Sequence, residues 1–311
     1  MNGLDRICDA HHHLWVLPTS HYDVADLRAD LATVPEVTRT VFVECGAWYR
    51  HDGPEHLRSV GETEWVAANT DPVTEAIVGA TDLRLGALTE EALHAHIEAG
   101  AGRFRGIRQM ATWDPSPDIR PAHPDPGPGL LLDPHFRDGF AALHRLGLSF
   151  DAWVYFPQLP EVADLARAFP DTTIVVNHFG GVIGLGPYAG HRDEMLTRWR
   201  ELLPELAACP NVVMKLGGIG MPIYGLEWHK RAEPPSIAEV VDAWRDTVRR
   251  CIEAFGVDRC LFESNFPVDR FSLDYATVWA AFDAMTADLS MSERAALFHD
   301  TAAAVYRLPT S

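Results

Sequence analysis

Short apolar, β-branched runs alternate along the chain with longer segments in which apolar residues recur at helical spacing. The runs predict eight strands: Ile7–Ala10, Arg39–Glu44, Ala76–Ala80, Phe104–Gln109, Ser149–Tyr155, Thr173–Asn177, Val212–Leu216 and Cys260–Glu263. The longer segments predict helices that include Gly61–Thr70, Thr89–Ala99, Phe136–Leu146, Leu159–Ala168, Asp193–Ala208, Ile237–Phe255 and Ser292–Val305. Because strands and helical segments alternate, the pattern favours one closed (β/α)8 TIM-type barrel domain over residues 1–311, with long βα loops and a C-terminal helix. An open doubly wound sheet is the alternative, although no Gly-x-Gly-x-x-Gly motif follows the first strand.

Composition and charge narrow the class of protein. A hydrophobic fraction of 47% and a charged fraction of 23% are typical of a folded globular chain. The 26 Lys and Arg residues against 44 Asp and Glu residues give a net charge of −18, which repels phosphate backbones and anionic lipid surfaces. No apolar run approaches the roughly 20 residues of a membrane helix, and the N-terminus lacks the pattern of a signal peptide. We therefore expect a cytoplasmic protein that binds neither nucleic acid nor membranes.

Polar residues fall at the C-terminal ends of the predicted strands, where the active sites of parallel barrels lie. A charged residue inside an apolar strand is costly unless it is paired or bound to a ligand. Seven of the strands end in such residues, which are Asp9, His11, His12, His13, Glu44, Arg108, Asp151, Tyr155, Asn177, His178, Lys215, Glu263 and Asn265. The sequence therefore predicts that these side chains converge on one cavity.

The His11–His13 pair indicates a metal site. Side chains two residues apart on a strand point to the same face, so His11 and His13 can reach one ion while His12 points away. His178 and a carboxylate from other strands would complete a ligand set suited to zinc or a similar divalent ion. A polar strand end without any ligand is the alternative, and the presence of His178 weakens it.

Two cationic residues are candidates for anchoring a substrate. Arg108 offers a planar fork for a carboxylate, and Lys215 offers a point charge for an oxyanion. Internal pairing with Asp151, Glu44 or Glu263 is the alternative for both, and the two roles are compatible.

Aromatic residues and a Pro-rich stretch complete the candidates for a substrate site. Trp48, Trp113 and Tyr155 could form the wall of a site for a flat or cyclic substrate, although most aromatic side chains are simply core. The stretch from Asp114 to Pro134 follows the fourth strand and is either a stiff surface loop or a lid over the substrate.

Five motifs carry a resemblance to a known family. They are Asp-Ala-His-His-His-Leu-Trp at residues 9–15, Gly-Ile-Arg at 106–108, Val-Asn-His-Phe-Gly-Gly at 176–181, Val-Met-Lys-Leu-Gly-Gly at 213–218 and Phe-Glu-Ser-Asn-Phe-Pro-Val-Asp at 262–269. From residue 9 to about residue 306 the chain resembles the amidohydrolase superfamily. Within it, the chain is most similar to the amidohydrolase-2 branch of TIM-barrel metal-dependent hydrolases, which includes L-fuconolactonase-like and pyrone-dicarboxylate-lactonase-like enzymes.

The resemblance implies a barrel in which His11, His13 and His178 surround the reacting water together with an aspartate from the eighth strand. Where that aspartate is expected, this chain has Asn265. An amide does not take a proton from water at neutral pH, and it is a weaker metal ligand than a carboxylate. The departure puts both the catalytic base and the metal set in question.

Three replacements for the missing aspartate are open. Glu263 lies two residues earlier and could supply the carboxylate, both as base and as metal ligand. Asp151 or Glu44 could act as the base from neighbouring strands, or the reaction could need no metal, as the resemblance allows. We favour Glu263, whose alternative role is that of a buried partner of Lys215 or Arg108.

These considerations predict an enzyme that hydrolyses a cyclic ester, or less readily an amide, of a small organic or sugar-derived acid. One divalent ion, zinc or else manganese, would activate the water. A lyase or isomerase on the same barrel, such as an aromatic-acid decarboxylase or a lactone isomerase, is the second hypothesis, and a barrel that only binds is the third. We expect a carbonyl-bearing or anionic small molecule as partner, and only the resemblance suggests a homo-oligomer.

Overall fold

The computed structural model describes residues 4–18, 20–70 and 73–309, and within these ranges eight parallel strands form a barrel-shaped sheet. The strands, β1 to β8, are Ile7–His12, Val37–Val43, Thr74–Gly79, Phe104–Arg108, Ser149–Ala152, Ile174–Val176, Val212–Leu216 and Cys260–Phe262. Each pairs with the next in the chain. Across the seam, the Asn265 N–H donates to the His11 carbonyl and the His13 N–H donates to the Phe266 carbonyl. The predicted (β/α)8 barrel and its eight strands are confirmed.

Helices cover the outside of the sheet. Those that follow the successive strands, α1 to α8, are Val24–Thr33, Val60–Asn69, Ala87–Ala99, Pro134–Arg145, Leu159–Ala168, Arg192–Ala207, Ile237–Phe255 and Tyr275–Met285. The sequence analysis names six of them but neither α1 nor α8, and α1 buries only Leu27, so its apolar periodicity is weak. A short hairpin of Trp15–Leu17 and Ser20–Tyr22 precedes α1. In the described ranges, no helix combines the length and the hydrophobicity needed to cross a bilayer.

The C-terminal segment differs from the single helix predicted over residues 292–305. It consists of the helix Met291–Ala295, a π-helical turn at Ala296–Asp300 and the helix Thr301–Val305. The chain then places Tyr306 fully buried among inward-facing strand residues such as Val41 and Val213. Arg39, near the start of β2, donates to the Pro309 carbonyl. This segment therefore covers the end of the barrel opposite the C-terminal ends of the strands.

Candidate active site

Polar side chains from four strand ends meet in one buried cluster. His11 Nδ1 lies 2.9 Å from Glu263 Oε2 and 3.2 Å from Lys215 Nζ. His178 Nδ1 lies 2.5 Å from Glu263 Oε1, and His13 Nε2 lies 3.1 Å from His11 Nε2. All five side chains are buried. The predicted convergence of β1, β6, β7 and β8 on one spot is present, because closing the barrel brings residues far apart in the chain side by side.

Hydrogen bonds determine which nitrogen of two histidines carries the proton. His13 Nδ1 lies 2.7 Å from the Val43 carbonyl, which can only accept, so Nδ1 is protonated and Nε2 presents a lone pair. His178 Nδ1 donates in the same way to the Glu263 carboxylate, and its Nε2 is left with a lone pair. His12, as predicted, points away from the cluster, and its Nε2 lies 3.0 Å from Thr40 Oγ1.

Burial keeps the imidazoles of the cluster neutral. Loss of hydration is the main cause that lowers the pKa of His11 well below its ordinary value, and the positive charge of Lys215 adds to it. Burial also lowers the pKa of His13 well below its ordinary value, with a further contribution from Arg108. For His178 burial again lowers the pKa, while the Glu263 carboxylate opposes the shift. Neutral imidazoles are the form that a metal ion or an incoming proton requires.

The donor set fits a divalent ion between His11 and His13. Their Nε2 atoms are 3.1 Å apart. Two nitrogens bound to a tetrahedral zinc at about 2.0–2.1 Å would be separated by roughly 3.3 Å. Glu263 lies at the Nδ1 atoms of His11 and His178, where a carboxylate commonly orients a ligating histidine.

A second possible grouping uses the opposite edge of the His11 ring. Potential ligand atoms of His11, His178 and Glu263 all lie within 4.8 Å of one another. However, the Lys215 ammonium lies 3.2 Å from His11 Nδ1 and 3.8 Å from Glu263 Oε2. Lys215 thus supplies a positive charge on that edge, and Arg108 Nη1 lies 3.4 Å from His11 Nε2 on the other edge. The spacing of the two Nε2 atoms, and not the charge nearby, is therefore what favours the Nε2 edge.

Lys215 is paired with a carboxylate deeper in the barrel. Its Nζ lies 2.7 Å from Asp151 Oδ2, and both side chains are fully buried. Asp151 also accepts hydrogen bonds of 3.0 Å from the Tyr306 hydroxyl and from Asn177 Nδ2. The internal pairing that the sequence left open for Lys215 is therefore present, and the contacts of Asp151 are those of a fixed counter-ion.

Arg108 and Glu44 form a second buried pair beside the histidines. Arg108 Nε donates to Glu44 Oε1 at 2.8 Å, and Nη2 donates to the Glu44 carbonyl oxygen. The remaining Nη1 lies 3.4 Å from His11 Nε2. One edge of the guanidinium is thus committed to Glu44, while the other faces the cluster.

The aromatic candidates occupy different places. Trp48 stacks on Trp65, with ring centroids 4.0 Å apart. The backbone N–H of Trp113 donates to Gln158 Oε1 at 3.1 Å. The Tyr155 hydroxyl donates to the Arg120 carbonyl in the Pro-rich stretch. Tyr155 therefore connects the Pro-rich stretch to the barrel through this hydrogen bond.

Two other aromatic rings contact the histidines. Trp15, in the first motif, stacks on His13 with ring centroids 6.1 Å apart. Trp153 meets His178 edge to face at 4.8 Å. The sequence analysis missed Trp153, although its position two residues after Asp151 is a signal, because alternate residues of a strand share a face.

Removal of the Tyr306 hydroxyl is expected to weaken the buried Lys215–Asp151 pair. Tyr306→Phe should keep the ring packing but lower the free energy of unfolding by about 1.5–3 kcal/mol, typical of a hydrogen bond to a charged group. Urea unfolding measures it, and Tyr188→Phe is the matched control because that half-buried hydroxyl donates to Asp114. An equal or larger loss in the control would contradict the importance of the buried contact.

Comparison with known proteins agrees with this fold. The family model described as Amidohydrolase matches residues 8–308. The chain belongs to this amidohydrolase family. The resemblance seen in the five motifs is thereby confirmed.

Relatives of this amidohydrolase include proteins with named activities. An uncharacterised protein of Sinorhizobium fredii is 34% identical over 97% of this chain and 98% of its own length. A Burkholderia ambifaria protein named L-fucono-1,5-lactonase is 28% identical over 96% of this chain and 95% of its own length. A zinc-bound amidohydrolase structure from Burkholderia multivorans has a TM-score of 0.76 at 24% identity, covering 98% of this chain and 100% of that chain. Decarboxylases are among the other solved structures with this fold.

The last motif of this amidohydrolase contains a residue that the sequence analysis did not single out. Asn265 follows β8, as expected, with a positive φ of 57°. Its Nδ2 donates to Asp269 Oδ1 at 2.9 Å. Asp269 is fully buried, and its presence in the 262–269 motif was the available signal.

Proposed function

We propose that this amidohydrolase opens a cyclic ester of a small organic or sugar-derived acid by hydrolysis. The His178–Glu263 pair is the observation that carries the proposal, because His178 Nδ1 is held at 2.5 Å by a fully buried carboxylate. A base oriented in this way is suited to take a proton from water. The relative named L-fucono-1,5-lactonase supports a lactone as the substrate class.

His178 is the proposed proton carrier. Water adds to the ester carbonyl carbon while His178 Nε2 takes its proton, and the Glu263 carboxylate stabilises the resulting imidazolium. The ring C–O bond then breaks, and His178 returns the proton to the departing alkoxide oxygen. In this assignment Glu263 replaces the missing aspartate by acting through His178, whereas Asp151 stays the counter-ion of Lys215.

The two buried cations have separate roles in the proposal. The free edge of Arg108, whose Nη1 lies 3.4 Å from His11 Nε2, would bind the carbonyl or carboxylate of the substrate. Lys215 is fully buried between Asp151 and His11, so it orients the cluster from beneath. Trp15 and Trp153 would pack against the faces of the lactone ring of the substrate and limit access of bulk water.

His11 and His13 would hold a divalent ion, zinc or manganese, through their Nε2 atoms. When bound, such an ion polarises a carbonyl oxygen and lowers the pKa of a water molecule. Glu263 then orients the Nδ1 edges of His11 and His178 without being a ligand itself.

A lactone panel in H₂¹⁸O tests the proposed reaction. Protein purified without added metal is assayed on five- and six-membered sugar lactones, a pyrone carboxylate and aromatic acids. We expect ring opening of a lactone with one ¹⁸O atom in the product carboxylate. Release of CO₂ from an aromatic acid, without hydrolysis of any lactone, would instead support the lyase hypothesis.

Metal content tests the assignment of His11 and His13. His13→Ala should reduce bound zinc or manganese by about tenfold or more, because losing even an outer-shell partner costs about 10- to 100-fold in metal affinity and His13 is assigned as a direct ligand. Elemental analysis measures it, with His12→Gln as the control, because His12 contacts Thr40 outside the cluster. Unchanged metal content in His13→Ala would contradict the assignment.

A further inference from the structure

We infer that Asp269 is a positioning residue that holds the Asn265 amide with its carbonyl oxygen, and not its NH₂ group, turned away from Asp269 toward the histidine cluster. The inference rests on the proposed hydrolysis, in which that oxygen would accept a hydrogen bond from the reacting water. It gives Asn265 a role that does not require it to take a proton.

The contacts of Asp269 are unusual for a buried carboxylate. One oxygen accepts the Gly220 N–H at 2.8 Å, and the other accepts Asn265 Nδ2 at 2.9 Å. In the part of the chain that the structure describes, no lysine, arginine or histidine forms an ion pair with it. Burial raises the pKa of Asp269 well above its ordinary value, and the two N–H donors offset that shift only in part. A buried carboxylate without a counter-ion is costly, and such groups often serve a site.

Hydrogen bonds hold the backbone of Asn265 in place. Its N–H donates to the His11 carbonyl, and its own carbonyl accepts the N–H groups of Val268 and Asp269. Its φ of 57° is one that Asn and Asp tolerate better than other residues with a side chain. With the backbone held, a half-turn of the amide exchanges its oxygen and nitrogen, and the acceptor at Asp269 selects one of the two orientations.

The free end of the amide is an acceptor. Among the residues that the structure describes, none donates a hydrogen bond to Asn265 Oδ1. Asn265 follows β8 directly, two residues after Glu263, and its N–H is bonded to the carbonyl of His11. These backbone positions place Asn265 beside residues of the cluster, and the orientation of its side-chain oxygen toward the cluster is the inferred step.

Three variants separate orientation from packing. In Asp269→Asn, the new NH₂ group needs an acceptor, so Asn265 should turn its oxygen toward residue 269 and its NH₂ toward the cluster. In Asn265→Asp, two carboxylates face each other without a donor between them. In the double variant, which combines both substitutions, the amide at position 269 can accept from Gly220 and donate to the carboxylate at position 265. The hydrogen bonds of residue 269 to Gly220 and to residue 265 are then restored. The second oxygen of the carboxylate at position 265 is the acceptor that faces the cluster.

Turnover should follow the orientation of the acceptor. We expect kcat of Asp269→Asn to fall by about 10- to 100-fold with KM little changed, since the lost contact acts on the reacting water. The kcat of the double variant should be at least about tenfold higher than that of Asp269→Asn, which is within the range that a well-placed hydrogen bond contributes. A double variant that is no more active than Asp269→Asn overturns the inference.

Thermal unfolding tests the contact between Asp269 and Asn265 without any measurement of activity. The midpoint of Asn265→Asp should fall by about 5 °C, and the double variant should return to within about 2 °C of the unchanged protein. Asp30→Asn, which alters a half-buried carboxylate that accepts from Tyr22, is the control and should combine additively with Asn265→Asp. If the wild-type protein opens no lactone, the proposed function is wrong, and the unfolding midpoints still test the Asp269–Asn265 contact. Additive midpoints for Asn265→Asp and Asp269→Asn would overturn the Asp269–Asn265 coupling in either case.

Discussion

Glu263→Gln should lower turnover by a factor of about 10²–10⁴ while the chain stays folded. Glutamine can still accept the His178 Nδ1–H through its carbonyl oxygen, so the ring keeps its orientation. It has no negative charge with which to stabilise the imidazolium, and its NH₂ group is brought close to the Lys215 ammonium. Steady-state kinetics on the best lactone measures the loss, and circular dichroism measures the fold.

Two measurements make the Glu263 prediction specific. Metal content should fall less in Glu263→Gln than in His13→Ala, because we assign the ion to the Nε2 edges of His11 and His13 and Glu263 only orients the Nδ1 edge of His11. Glu62→Gln is the control, since Glu62 is as deeply buried and accepts from the Cys45 and Ala47 N–H groups outside the cluster. Wild-type turnover in Glu263→Gln would remove the residue from the mechanism, and a loss of metal as large as that in His13→Ala would make Glu263 a ligand.

Lys215→Met should have the largest effect on stability. Removing the ammonium leaves Asp151 and Glu263 buried with no counter-ion in the cluster, and breaking a buried pair in this way costs about 3–5 kcal/mol. Urea unfolding should show this fall in the free energy of unfolding. The chain has only one other lysine, Lys230, which is exposed and pairs with Glu227. Lys230→Met should therefore change stability by less than about 1 kcal/mol.

A double variant distinguishes lost charge from lost packing at Lys215. In Asp151→Asn combined with Lys215→Met, both charges of the pair are removed. Among the described residues, Asn177 Oδ1 has no hydrogen-bond partner, so the Asn177 amide can turn to accept from the new NH₂ group at residue 151. We expect the double variant to be more stable than Lys215→Met alone, and a further loss would show that the cost lies in packing.

Much of the fold could be predicted because parallel strands leave a strong signal. Strands buried on both faces are continuous apolar runs, and Val212–Leu216 was predicted to the residue. Helix α7, with its regular apolar stripe, was also predicted to the residue. The C-terminal segment was predicted as one regular helix, but in the structure a π-helical turn at Ala296–Asp300 interrupts it. Local periodicity does not report such an insertion, which depends on packing against the barrel.

The sequence pattern does not show which buried charged side chains pair with one another. From the sequence, Asp151, Glu44 and Glu263 were all possible partners of Lys215, and the structure places its Nζ 2.7 Å from Asp151 Oδ2. Tyr306 completes that pair from the opposite end of the chain, where no motif marks it as part of the site. Each choice depends on the depth of a side chain within the barrel, and depth is set by strand register and stagger.

The sequence by itself determined the strands, their order, the polar residues at their ends and the family, because these follow from local patterns and short motifs. Only the tertiary structure decided how the site is arranged. It placed Glu263 at the Nδ1 edges of His11 and His178, brought Trp153 onto His178 and gave Asn265 its acceptor in Asp269. The physical reason is that a hydrogen bond depends on distances of a few tenths of an ångström between residues from separate strands, which exist only once the barrel has closed.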